Sequence, residues 1–245
     1  MHQLWVIARK DIRESFRSRT TYIYIVFLFL ISLSNFSTFS NQTAPGTPAQ
    51  NALVQASQNY LDNITSTMPL WYAILVSTIF ATYSVIVEKA KRSIESLMAT
   101  PVSLNKIWMG KALAVALPSV VIALGVSLVS IIIMNMALVV PRTGMFLVPG
   151  SLAIISAIVL VPLLIFTVAS LVIYIQLIIA NPRLANFVFI AVFLLFFFGA
   201  NFLNRAGMTV NFSLIYLGLI IFCAALAFLL SRTLTKERVL LSSKD

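Results

Sequence analysis

Charge is what this chain has least of. Only 10% of its 245 residues are Asp, Glu, Lys or Arg, against roughly 25% in a soluble domain. No charge falls in 20–61, 63–87, 112–141, 143–182, 184–204 or 206–231. Charge-free stretches of about 18 residues or more are candidate membrane spans, because about 20 helical residues cross a bilayer core of ~30 Å. The composition therefore predicts an all-α integral membrane protein, with six spans near 21–39, 69–87, 112–139, 150–175, 184–200 and 213–231.

Other scarcities exclude chemistry. One cysteine, Cys223 inside an apolar run, allows no disulfide or cysteine metal site within one chain. One histidine, His2, rules out paired-histidine zinc motifs and histidine-based triads. No GxxxxGK[ST] loop occurs, since Gly110-Lys111 is followed by Ala112, so no cradle for nucleotide phosphates is expected here. Not one of the seven carboxylates lies in the interior of an expected span, and no cation does either. Proton- and cation-coupled transporters place ionisable groups at membrane depth. Energy for uphill transport would have to come from another subunit.

The charges that are present are biased. Lys and Arg outnumber Asp and Glu seventeen to seven. The cations flank apolar runs, as topology signals do, so no nucleic-acid partner is expected. Five precede the first span (Arg9, Lys10, Arg13, Arg17, Arg19) and five lie in 88–111, with Arg183 and the four of the tail on the same side. Arg142 and Arg205 alone fall opposite. The positive-inside rule then places both ends and the 88–111 island in the cytoplasm, and residues 40–68 outside. That external segment has no Lys or Arg; its glycosylation-like triplets at Asn41 and Asn63 read as chance matches in an Asn-rich stretch. Residues 4–19 predict an amphipathic interfacial helix with Trp5, Ala8, Ile12 and Phe16 on one stripe. With no obvious cleavage site after it, the first apolar run reads as a retained span.

The island itself is patterned. Ile94, Leu97 and Met98 share one helical face, ringed by Lys91, Arg92 and Glu95. Pro101 should end that short helix, and Ser103 should cap the next one, which runs through Ile107 and Trp108 into span three.

Glu88, then Ser93-Ile94-Glu95-Ser96-Leu97-Met98-Ala99-Thr100-Pro101-Val102-Ser103, then Gly110-Lys111, resembles the signature of type 2 ATP-binding-cassette (ABC) exporter permeases. That signature is a Glu, a basic stretch, a Thr-Leu-Glu-x-Leu-Leu-x-Thr-Pro-Val-Ser run and a Gly-Lys at the next span. Ser93-Ile94 stands where the family usually has Gly-Thr before Leu-Glu. Ala8 to Arg19 is similar to the family's basic connecting helix, and the six-span layout fits as well.

The resemblance implies one transmembrane permease domain over 1–245, exporting a hydrophobic or amphipathic cargo and not an enzyme itself. It implies a second permease chain, as a homodimer, and two separate ATPase subunits carrying ATP and Mg, with no cofactor in this chain. Segment 88–111 becomes the coupling segment, with Glu88, Arg92, Ile94, Glu95, Leu97, Met98 and Pro101 as coupling residues. Spans two and five would line the route, making Thr78, Thr82, Phe189, Phe193 and Phe197 pathway candidates; packing against lipid or helices is the competing role. The membrane would be the cell membrane of a prokaryote. A channel or a scaffold subunit of a membrane complex is the alternative, distinguished by whether an ATPase reading frame adjoins this one.

Overall fold

The structure is a computed structural model, and it describes residues 2–42, 50–91, 102–179, 181–205 and 212–231. Those residues form seven helices in chain order and no strand. They are α1 (His2–Arg17), α2 (Arg19–Gln42), α3 (Gln50–Ala81, continued through Val87–Ala90), α4 (Leu104–Met134, continued through Val140–Thr143), α5 (Ser151–Ile155, continued through Val161–Ile178), α6 (Phe187–Arg205) and α7 (Phe212–Ser231). Apolar surroundings offer the backbone no water to bond, so a segment this greasy must satisfy its own amides, which a helix does.

Three of the helices contain a π turn at their continuation points: Thr82–Ile86, Asn135–Val139 and Ser156–Leu160. Two of these directly precede a proline, Pro141 and Pro162. A proline removes one helical donor and its ring collides with the carbonyl four residues back, a position that falls inside each π turn. At these two prolines the wider turn absorbs the missing bond, whereas Pro69 of α3 and Pro118 of α4 lie inside regular helix. The turn at Thr82–Ile86 has no proline after it; one of its carbonyls, that of Ser84, meets a buried lysine described below. Gly144 ends α4 in the left-handed region (φ 73°), donating its N–H to Val140 O at 2.9 Å.

Helices α4 and α5 form the middle of the molecule: α1, α2 and α3 pack on α4, while α3, α6 and α7 pack on α5. Along α5 buried residues occur on every side, among them Leu164, Ile165, Val168, Val172, Ile173 and Leu177, the mark of a helix enclosed by others. By contrast α7 buries only Tyr216, Cys223 and Ala227, one stripe, and leaves Leu214, Ile221, Phe222, Phe228 and Leu229 exposed. A continuous apolar outer face of that kind belongs against lipid or a partner chain.

Among the described residues, four helical stretches are long and apolar enough to cross a membrane: Ala52–Lys89, Leu104–Thr143, Ser151–Ile178 and Phe212–Ser231, with mean hydropathy from 1.9 to 2.8. Expected spans one and five fall on α2 and α6, whose apolar stretches Arg19–Ser32 and Arg183–Gly199 are shorter. The boundaries moved in a consistent direction. Span two begins near residue 69 by charge-free hydropathy, yet α3 starts at Gln50, so residues 50–68 of the expected external segment are helix. Span three begins at Leu104 instead of 112 because Leu104, Ile107, Trp108 and Lys111 are buried on one face. Helix α6 continues past its apolar stretch as far as Arg205.

Two local readings change as well. Ser103 does occupy the N-cap position of α4 with extended backbone, but its side chain makes no cap bond; its carbonyl instead accepts from the amides of Lys106 and Ile107. Of the stripe Trp5, Ala8, Ile12 and Phe16, Ala8 is buried, Ile12 and Phe16 are half-buried and Trp5 is exposed. The inward stripe of α1 is Ala8, Asp11 and Ser15, all buried. Helix α1 thus rests on protein through a polar seam.

Asp62 and Glu88 sit on the same continuous helix, so at ~1.5 Å per residue they are separated by about 39 Å along it. That is close to a bilayer with its headgroup regions, about 40–45 Å. The molecule accordingly has polar groups at two opposite ends.

Candidate functional site

At the end of the bundle adjoining the island, Lys111 is completely buried. It lies seven residues into α4, in helical register with Leu104, Ile107 and Trp108, so the same periodicity that buries the apolar side chains carries the ammonium inside. An ammonium has three donors, and each finds an acceptor. Lys111 Nζ donates to Glu88 Oε2 at 2.7 Å, to Asp11 Oδ2 at 3.0 Å and to the Ser84 carbonyl. Ser84 belongs to the π turn of α3, the one that no proline follows. A π turn breaks the regular four-residue ladder, and here a backbone carbonyl from it is bonded to Lys111.

The carboxylates are shared onward. Ser84 Oγ donates to Asp11 Oδ2 at 2.9 Å, and Lys10 Nζ donates to Glu88 Oε1 at 3.1 Å. Two cations and two anions therefore cancel, from three helices. Burial without such pairing would cost several kcal/mol per ion. Burial pushes the Asp11 carboxyl above its ordinary range; the Lys111 charge pulls it down without prevailing, and the Glu88 charge adds to the rise. For Lys10 burial acts to lower the pKa, but its attraction to Glu88 prevails and raises it.

The same ten residues of α3 tie in the neighbouring helices. Phe80 meets Phe16 edge-to-face with centroids 5.5 Å apart. Tyr83 Oη shares a hydrogen bond of 2.7 Å with Ser18 Oγ, at the junction of α1 and α2. Lys89 Nζ donates to Ile179 O at 3.0 Å, just past the C-terminal end of α5, where a cation suits the helix dipole. On α4, Trp108 Nε1 donates to Ser170 O of α5 at 2.7 Å. Both roots of the island are thus fastened to α1, α4 and α5 within a few residues of its ends.

Of the expected coupling residues, Glu88 is part of this joint. Arg92, Ile94, Glu95, Leu97, Met98 and Pro101 lie outside the described residues. The expected pathway residues separate. Thr82 Oγ1 accepts from Asn186 Nδ2 at 3.2 Å and donates to Thr78 O at 2.8 Å, while Gln176 Nε2 donates to Asn186 Oδ1 at 2.8 Å. This polar chain links α3, α5 and the turn before α6. The Thr78 hydroxyl donates back to Leu75 O. Phe189 is fully buried, Phe193 lies against Trp71 with centroids 3.8 Å apart, and Phe197 stacks on Phe193 while remaining exposed. The three phenylalanines therefore run from core to surface along α6.

Sequence reasoning missed Asp11, Ser84 and Lys111 as partners. The signal for Lys111 was present: a lysine at positions 0, 3, 4 and 7 with three apolar residues sits on their face. Asp11 had a similar sign in its spacing from Ala8 and Ser15.

Long apolar helices with charges confined to their ends define a multi-pass α-helical membrane protein. Within that class, the family model described as "ABC-2 family transporter protein" matches residues 5–214. The chain belongs to that family, and so is a permease subunit of an ABC transporter, the non-enzymatic part that works with an ABC ATPase subunit. No curated protein and no solved structure matches it.

Proposed function

We propose that this chain is the membrane half of an exporter in a prokaryotic cell membrane, paired with a second copy of itself and driven by two separate ATPase subunits that carry ATP and Mg. In this reading α2 and α6 complete six spans, both ends and the island face the cytoplasm, and a hydrophobic or amphipathic cargo leaves between the two copies. In the same reading residues 94–98 are the segment that the ATPase holds, and Leu97 and Met98 are its docking residues.

The observation that carries the proposal is the joint at the island's roots. A segment that merely connects two spans has no need of a buried, fully bonded lysine at one root and its counter-ion, Glu88, at the other. A lever does, because force applied to the island must reach several helices as one displacement. Lys111 and Glu88 join the two roots to each other, and Asp11 adds α1.

The test is Leu97→Ala/Met98→Ala in the full chain. Each truncated side chain forfeits roughly 1.5–3 kcal/mol of burial if it is enclosed at a partner surface, and ~1.4 kcal/mol is tenfold in an equilibrium constant. The variant should insert normally, yet recover at least tenfold less ATPase on affinity purification from native membranes. Equal ATPase recovery with wild type and variant refutes the docking role.

A further inference from the structure

At the opposite end of the bundle from the charge joint, α3, α5 and α7 enclose an open cleft of about 560 Å³. One helical face of α3 supplies Asn59, Asp62, Asn63 and Ser66, spaced at 0, 3, 4 and 7. Across from it stand Ser156 of α5 and Phe212 at the start of α7.

Its charge is one-sided, with Asp62 the single charged lining residue. Ser66 Oγ spends its proton on Asp62 O at 2.8 Å, and Ser156 Oγ spends its proton on Leu152 O at 2.8 Å. The bond of 2.9 Å between Ser156 and Ser213 is then donated by Ser213. Asp62 Oδ1 accepts from the Gly150 amide at 2.7 Å and from Gln58 Nε2 at 3.1 Å. Its other oxygen, Oδ2, accepts no hydrogen bond among the described residues. The approach is close enough that a side chain on residue 150 would come within 3.0 Å of Oδ2, so glycine there keeps that oxygen clear. The exposed Asn59 and Asn63 amides add a carbonyl acceptor and an NH2 donor each, and can turn either toward a guest. The one charged lining group is thus a carboxylate with an open oxygen, while the donors, the Ser151 hydroxyl and the first amides of α5, are neutral and stand on the opposite wall. Leu152 and Phe212 provide apolar surface beside it.

We propose that this cleft binds an amphipathic ammonium: a protonated amine whose three donors meet Asp62 Oδ2 and the Asn59 and Asn63 carbonyls, while its alkyl part lies on Leu152 and Phe212. The proposal deepens the export reading by naming a cargo class, and it rests on that reading only for the role of the cleft as an exit. Binding itself requires no ATPase, so a failure here leaves the exporter proposal standing.

The full chain in nanodiscs is titrated calorimetrically at pH 7 with hexylammonium, and with hexanol and hexanoate as neutral and anionic probes of like shape. Hexylammonium should bind at one saturable site, at least tenfold more tightly than either other probe. Asp62→Asn and Asn59→Ala/Asn63→Ala should each weaken it tenfold or more; the two asparagines are exposed, so the second variant does not depend on the fold surviving loss of Asp62. Gln58→Ala, which loosens the attachment of Asp62 to 148–150 but keeps the carboxylate, should retain binding within threefold. Hexanoate binding as tightly as hexylammonium overturns the proposal, because the free amides at the start of α5 would then be the attraction. Unchanged binding in Asn59→Ala/Asn63→Ala, or a loss in Gln58→Ala equal to that in Asp62→Asn, overturns it too.

Discussion

Replacing Lys111 with Met tests the charge joint most directly. The side chains have similar length, so the change removes the ammonium with little change in packing. It leaves Asp11 and Glu88 facing a site where Lys111 had no exposure at all and each carboxylate had under a tenth of its own. Breaking a buried ion pair by deleting one partner costs about 3–5 kcal/mol, since the remaining charge is stranded. That range corresponds to roughly two to three and a half decades in the folding equilibrium. Compensation should follow a definite order. Glu88 keeps Lys10 at 3.1 Å, whereas Asp11 keeps only the Ser84 hydroxyl. Asp11 is also the group that burial has already pushed toward its neutral form. Lys111→Met/Asp11→Asn should therefore regain most of the loss, and Lys111→Met/Glu88→Gln less of it. Denaturant unfolding in micelles, followed by the fluorescence of Trp108 one turn away, measures all three. A cost below ~1 kcal/mol for Lys111→Met, or equal rescue by the two second changes, would refute the reasoning.

Trp108→Phe should keep the edge contact with Tyr174 but lose the indole bond to the Ser170 carbonyl, which retains its helical partner, costing about 0.5–1.5 kcal/mol in the same unfolding assay. The Asp11 carboxyl titrates higher in the folded chain than in the unfolded one, so its proton stabilises the fold at acid pH. Stability should fall as pH rises from below the unfolded value of 3.8 through the elevated folded one; Asp11→Asn should remove that slope, which pH-dependent melting curves will show. In a Cys223→Ala background, a cysteine introduced at Gln50 should label from outside intact cells and one at Ser96 should not; labelling at 96 would reverse the proposed orientation.

Membrane class, helix content and family were open to reading without coordinates, because each depends on local quantities. Hydropathy averages along the chain, helical periodicity repeats every few residues, and the motif from Glu88 to Lys111 is contiguous. Boundaries were harder to read. Charge-free windows ended at Lys111 and Asp62, although both residues lie within helices whose partners admit them. A hydropathy window treats every lysine as an exposed one; the structure distinguishes Lys106, exposed, from Lys111, buried only five residues on.

What the sequence determined by itself, then, was the greasy helical body, the signs of charge at its ends and the transporter family. Only the tertiary structure decided that Lys111 meets Asp11, a hundred residues away, that Pro141 of α4 and Pro162 of α5 sit behind π turns, and that Asp62 keeps one oxygen open beside the Asn59 and Asn63 amides. The reason is physical. A buried charge becomes tolerable only through partners brought to it by the packing of other helices, and no property of its own neighbourhood in the chain names them.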